Sequence, residues 1–140
     1  MALYCHGNGE DLGMIHDHLQ TLSKNIEMSI IACEYPGYGL YEDKFPSEKA
    51  INDTVESIYK YMVNSMHIPN CNIVFIGRSI GTGPATQLST KYNASCLVLI
   101  SPFVSITAMA KELFSSNVSY FCRERFCTEK NIQSESLIIK

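Results

Sequence analysis

The sequence predicts an α/β fold: three layers, αβα, built on a central, mostly parallel sheet. Two observations carry this. Short runs that are apolar on both faces, "ALYC" (2–5), "MSIIAC" (28–33), "NIVFI" (72–76), "CLVLIS" (96–101) and "SLII" (136–139), recur along the chain, as strands covered on both sides require. Between them lie segments whose apolar residues return at steps of three and four, the period of a helix with one buried face. Strands alternating with helices imply parallel pairing through right-handed crossovers.

The elements follow in order. After 2–5 and a polar, Gly-rich loop, Leu12, Ile15, Leu19 and Leu22 share one helical face. The strand 28–33 runs into "EYPGYG", where two glycines and a proline break regular structure. Ser47 is placed to cap a helix carrying Ile51, Val55, Ile58 and Met62 on one side. Strand 72–76 leads into a small-residue helix over 80–91, strand 96–101 into a helix over 106–114, and 136–139 forms the last strand. No repeat, low-complexity tract or linker divides the chain, so residues 1–140 are expected to form a single domain.

Composition narrows the function classes. A formal charge of -3 leaves no basic surface, and Lys111, Arg123, Arg125 and Lys130 are scattered, so nucleic acid is not an expected partner. No apolar run reaches the ~20 residues of a membrane span, and the first ten residues do not read as a secretion signal. A cytoplasmic setting is the expectation. Of six cysteines, Cys5, Cys33 and Cys96 fall in strand-like runs, and Cys122 and Cys127 have no matching His/Cys pair at metal-ligand spacing. They read as free thiols, with no metal and no organic cofactor implied. The triplets at Asn52, Asn93 and Asn117 match a glycosylation pattern by chance.

The chemistry is concentrated in "NIVFIGRSIGTGPA" (72–85), where Gly77-Arg78-Ser79-Ile80-Gly81 ends a strand and opens a helix. A serine hydroxyl is a weak nucleophile, so it needs exposure, a base within reach, and donors aimed at the developing oxyanion. A sharp strand-to-helix turn supplies the exposure, and flanking glycines let strand and helix pass closely. Ser79 is therefore the candidate nucleophile.

"YCHGNGEDLG", "CEYPGYG", "GRSIGTGPA" and "LISPFVS", in this order and spacing, resemble the α/β-hydrolase superfamily, and most of all its protein-depalmitoylating, acyl-protein thioesterase-type serine hydrolases. The resemblance spans almost the whole chain. It implies an α/β-hydrolase core with sheet order 28–33, 2–5, 72–76, 96–101, 136–139, incomplete at both sheet edges. It also implies an oxyanion hole formed by the backbone N–H groups of Asn8 and Ile80, with His6 a loop-packing residue. The substrate it implies is an acyl ester or thioester, including an acylated protein, with membrane association left open and a membrane surface as one setting for the full-length protein. Glu34 stands where this family usually has Asp.

The same resemblance places the catalytic acid after 136–139 and the histidine one strand later. The sequence stops at Lys140 and starts at what the family counts as its third strand. The base and its orienting acid are therefore expected outside these residues, and the isolated polypeptide is expected to expose edge strands and to be marginally stable or prone to aggregate. His67 precedes strand 72–76, and five residues at ~3.3 Å each put it roughly 17 Å from Ser79. His16 and His18 lie well inside the first helix. Glu10, Asp11, Glu34 and Glu42 are near the right edge, but carboxylates are poor bases for an unactivated serine and have simpler roles as caps or solvated loop residues.

Two other readings stay open at this stage. Gly7-x-Gly9-x-x-x-Gly13 with Glu34 ending the next strand is close to a dinucleotide-binding spacing, although Glu10 and Asp11 would repel a pyrophosphate from that helix end. A noncatalytic relative that keeps the fold for binding is the second.

Overall fold

The computed structural model describes residues 1–41, 45–92 and 95–102, together with the backbone of 136–139. Five parallel strands, β1 (Ala2–Cys5), β2 (Ile30–Ala32), β3 (Val74–Arg78), β4 (Cys96–Ile100) and β5 (Ser136–Ile139), form one sheet in the order β2-β1-β3-β4-β5. Helices α1 (Leu12–Asn25), α2 (Glu48–Asn64) and α3 (Thr82–Tyr92) connect them. The three-layer α/β class and the strand order expected from the sequence are both observed. The helix expected at 106–114 lies outside the described residues.

Alternation along the strands sorts the core into two layers. Leu3, Cys5, Phe75, Leu97 and Leu99 face α2 and α3, where they meet Ile51, Val55, Tyr59, Met62, Ala85 and Leu88. Ala2, Tyr4 and Ile76 face α1 through Ile15, with Leu12, Leu19 and Leu22 packed alongside. Both faces are apolar because both are covered, which is why the strands show no polar side in the sequence. Phe75, fully buried, meets the Tyr59 ring edge-on at 5.6 Å, a geometry worth about 0.5–1.5 kcal/mol beyond area burial.

The ends of the elements account for the differences from sequence expectation. Strand β2 begins at Ile30 rather than 28, because α1 closes with Glu27 at φ 51 and Met28 N–H donating to Ser23 O at 3.2 Å. Met28 is thus part of the helix stop. Strand β3 is displaced to Val74–Arg78 because Asn70–Asn72 forms a 3-10 turn before it and Arg78 still pairs with Ile100. The expected helix over 80–91 divides into a 3-10 turn, Ser79–Gly81, followed by α3. The break at "EYPGYG" includes a 3-10 turn at Gly39–Tyr41. Ser47 caps α2 as expected, its Oγ accepting from Ala50 N–H at 3.1 Å.

Glu56 ties α2 to α3. It accepts from Tyr92 Oη at 2.7 Å and pairs with Lys60 and Lys91 at 2.7 and 2.8 Å. Hydrogen bonds from Lys60, Lys91 and Tyr92 pull its carboxyl from the ordinary 4.5 down to about 2. A carboxyl with a depressed folded-state value contributes stability above its unfolded value, and that contribution disappears as pH falls through the folded one. Glu56→Gln is therefore expected to lower the urea midpoint at pH 7, and the gap from wild type to narrow steadily between pH 4.5 and 2. A gap independent of pH would contradict the assignment.

Topology also fixes where a ligand would bind. The chain leaves β1 towards β2 on one side, then returns to β3 on the other, and α1 lies on the sheet face opposite α2 and α3. In open parallel sheets the crevice at such a reversal, beyond the strand C-termini, is the ligand site. Here it lies between the loops that follow β1 and β3. Among the described residues no helix is long and apolar enough to cross a membrane.

Candidate active site

The reversal brings together the loop 6–11 and the turn 79–81, since Cys5 and Gly77 are register partners on adjacent strands. Ser79 is half-buried with φ 50, in the left-handed region that side chains avoid. The turn is held by what surrounds it. A Cβ on Gly77 would come within 2.6 Å of Gly81 O and 2.7 Å of Thr82 Cα, and one on Gly81 would lie 2.2 Å from Cys5 O and 2.6 Å from His6 O. Both glycines are required by backbone contact. Thr82 Oγ1 donates to Ser79 O at 2.6 Å, fixing the carbonyl of the strained residue.

The β1 loop is fixed by three further contacts. Gly7 N–H donates to Glu10 Oε2 at 2.7 Å, and the other Glu10 oxygen pairs with Arg78. Tyr38 Oη donates to Asn8 Oδ1 at 2.7 Å. A Cβ on Gly7 would lie 3.6 Å from Ser79 Cβ, so this loop passes directly beside the serine. Asn8 is exposed, and Ile80 sits at the start of the elbow turn, where helical N–H groups have no partner within the helix. Ser79, Asn8 and Ile80, singled out in the sequence, thus occupy one corner of the sheet edge.

The other candidates are elsewhere or already engaged. His67 is exposed between α2 and β3, at the strand's N-terminal side. His16 and His18 are exposed on α1, with His16 Nε2 3.0 Å from Gln20 Nε2. Asp11 is the N-cap of α1, accepting from Met14 N–H at 2.8 Å. Glu34 accepts from Leu12 N–H at 3.0 Å and stands against His6. Two carboxylates therefore fill the first turn of α1, which does not fit a pyrophosphate and leaves Glu34 unavailable to a ribose. Glu42, Cys122 and Cys127 lie outside the described residues.

Burial pushes the Cys5 thiol well up and the Cys33 thiol to about 12, so neither is a thiolate that could compete with the serine. Among the described residues no cluster of three or more His, Cys, Asp or Glu could hold a metal ion. Beside the corner, a groove of about 760 Å³ is lined by Asp11, Leu12, Gly13, Glu34 and Gly39, with Leu40 and Tyr41 at its exposed rim.

The sequence did not disclose how the loop is braced. His6, fully buried, stacks on Tyr35 at 3.9 Å, and Tyr35 Oη donates to the His6 carbonyl at 3.1 Å. The tyrosines of "EYPGYG" were the available signal, but their partners lie a full crossover away.

A parallel sheet with a strained serine on a strand-to-helix elbow, at the point of topological reversal, is the arrangement of the α/β-hydrolase class. The chain belongs to the family described as "Alpha/beta hydrolase of unknown function (DUF1057)", which matches residues 5–111. It is 32% identical over 122 residues to the putative alpha/beta hydrolase L404 of Acanthamoeba polyphaga mimivirus, covering 86% of this chain and 46% of that protein. It is 30% identical over 124 residues to alpha/beta hydrolase domain-containing protein 17C of Homo sapiens, covering 89% and 36%. The chain thus spans less than half the length of these relatives. A crystal structure of an alpha-beta hydrolase from Vibrio vulnificus matches the fold with a TM-score of 0.81 at 23% identity, covering 93% of this chain and 50% of that one.

Proposed function

We propose that the protein is a serine hydrolase of esters or thioesters, with S-acylated protein cysteines as its substrate class. The observation that carries this is Ser79 at φ 50, held by two glycines that admit no Cβ. Ser79 Oγ attacks the acyl carbonyl carbon as its proton passes to a base. The resulting oxyanion takes hydrogen bonds from the N–H groups of Asn8 and Ile80. Collapse expels the cysteine thiol with a proton returned, leaving an acyl-serine. Water then attacks this ester and releases the carboxylic acid and free Ser79.

The base and the acid that orients it come from parts of the protein outside these 140 residues, in line with the chain's share of its relatives' length. The thioester preference rests on the resemblance of the four loop motifs to protein-depalmitoylating hydrolases. The groove bordered by Leu12, Leu40 and Tyr41, which meets the loop 6–11 at Asp11, offers an apolar surface for the acyl chain.

The test is a fluorophosphonate probe together with an S-palmitoylated peptide, applied to the full-length protein. Wild type is expected to be labelled and to release palmitate, and Ser79→Ala to do neither. Equal labelling of the two forms would remove Ser79 from the mechanism, and no labelling of wild type would favour a binding protein that keeps the fold.

A further inference from the structure

We infer that His6 is a positioning residue for the oxyanion donor, acting through the Gly7–Asn8 peptide; this rests on the reading of Asn8 N–H as that donor. His6 Nδ1 lies 3.0 Å from Gly7 O. A carbonyl oxygen only accepts, so this contact requires the proton on Nδ1. The Gly7 carbonyl and the Asn8 N–H belong to the same planar peptide unit. A donor on the carbonyl draws electron density towards oxygen and makes the N–H at the other end a stronger donor, the cooperativity that links successive hydrogen bonds. It also fixes the plane of the unit, and with it the direction in which the N–H points.

The surroundings hold the imidazole to this task. Its Nε2 stands 3.0 Å from Glu34 Oε1 but off the axis of a hydrogen bond. Glu34 is itself anchored by Leu12 N–H on the first turn of α1. The ring face is stacked on Tyr35 at 21° between planes, and Tyr38 meets it edge-on at 5.6 Å. The ring is completely buried, so water does not compete for Nδ1. A histidine kept only to fill space would not need its donor on one of the two peptide units that carry the site's N–H groups. Its main-chain oxygen also lies where a Cβ on Gly81 would fall, 2.6 Å away. The backbone of His6 thus lies against the nucleophile turn while its ring holds the Gly7–Asn8 peptide.

The test uses two variants of the full-length protein that separate the donor from the bulk. His6→Phe keeps a ring on Tyr35 and loses the donor, whereas His6→Asn places an amide nitrogen near the Nδ1 position. Active sites are titrated with fluorophosphonate, so that rates refer to folded enzyme. For an S-acyl peptide, His6→Phe is expected to lose about 10–100-fold in kcat with KM nearly unchanged, less than the 10²–10³ of deleting an oxyanion donor outright. His6→Asn is expected to recover most of that loss. Equal kcat per titrated site in wild type, Phe and Asn forms would overturn the inference and leave the proposed hydrolase intact. An inert, unlabelled wild type would overturn both.

Should His6→Phe not fold, the wild type alone decides. The ¹⁵N resonance of His6 Nδ1 is expected at the protonated position, and a signal at the unprotonated position would end the proposal.

Discussion

Replacing Ser79 by glycine is expected to abolish turnover and at the same time raise the melting temperature. The two effects have different origins. Loss of the hydroxyl removes the proposed nucleophile, for which a drop in kcat of about 10⁴-fold or more is the usual scale. The gain comes from the backbone: at φ 50 a serine pays steric strain of order 1–3 kcal/mol that glycine does not. Part of that gain is offset by the extra freedom of glycine in the unfolded chain, about 0.5–1 kcal/mol. A net shift of a few degrees is expected. Ser79→Ala is the control, since it removes the hydroxyl and keeps the Cβ that causes the strain. If the glycine form melts no higher than the alanine form, the turn is not storing strain at this residue.

Gly81→Ala is expected to be among the most damaging substitutions of one small residue in this protein, costing about 3–5 kcal/mol and leaving little soluble material. The added methyl would sit 2.2 Å from Cys5 O and 2.6 Å from Cys5 C, both backbone atoms of β1, the strand between β2 and β3. Neither can swing aside as a side chain could. Relief requires moving the turn away from the sheet, which also pulls Ser79 from the loop 6–11. Gly13→Ala makes the comparison, because the nearest atom there is Asp11 Oδ1 at 3.1 Å, the tip of a side chain, and the residue is helical. The methyl must displace that oxygen, the α1 cap acceptor, by a few tenths of an ångström, which offsets the helix-propensity gain of about 1 kcal/mol, so a near-neutral change is expected. A Gly81→Ala protein melting within two or three degrees of wild type would refute the packing argument.

What the sequence disclosed was whatever depends on short-range chemistry. The elbow could be read because its demands fall within a few residues: an apolar strand, glycine on both sides of the serine, and a small residue, Ala85, where α3 crosses close to Gly77. The α2 cap at Ser47 was legible for the same reason. The starts of β2 and β3 were not, because Glu27 and Asn70–Asn72 take turn conformations that no glycine or capping signal announces. The bracing of the site was least visible. That Glu34 would serve Leu12 N–H and stand beside His6, or that Tyr38 would reach Asn8, depends on β1 and β2 becoming neighbours. Read locally, Glu34 is only a loop carboxylate; in the fold it joins the first turn of α1 to the buried His6 ring.

The sheet order has a consequence for how the protein comes to be folded. β1 is flanked by β2 and β3, and Ala2 pairs with both Ile30 and Val74. During synthesis this apolar strand emerges long before either neighbour, and its second neighbour arrives only after two crossover helices have been made. Parallel pairing over such separations is slow, because loop-closure entropy is lost before the contacts form. Until then "ALYC" presents two open hydrogen-bonding edges to other chains. Yield in cells should therefore respond to chaperone supply and growth temperature more than to surface charge.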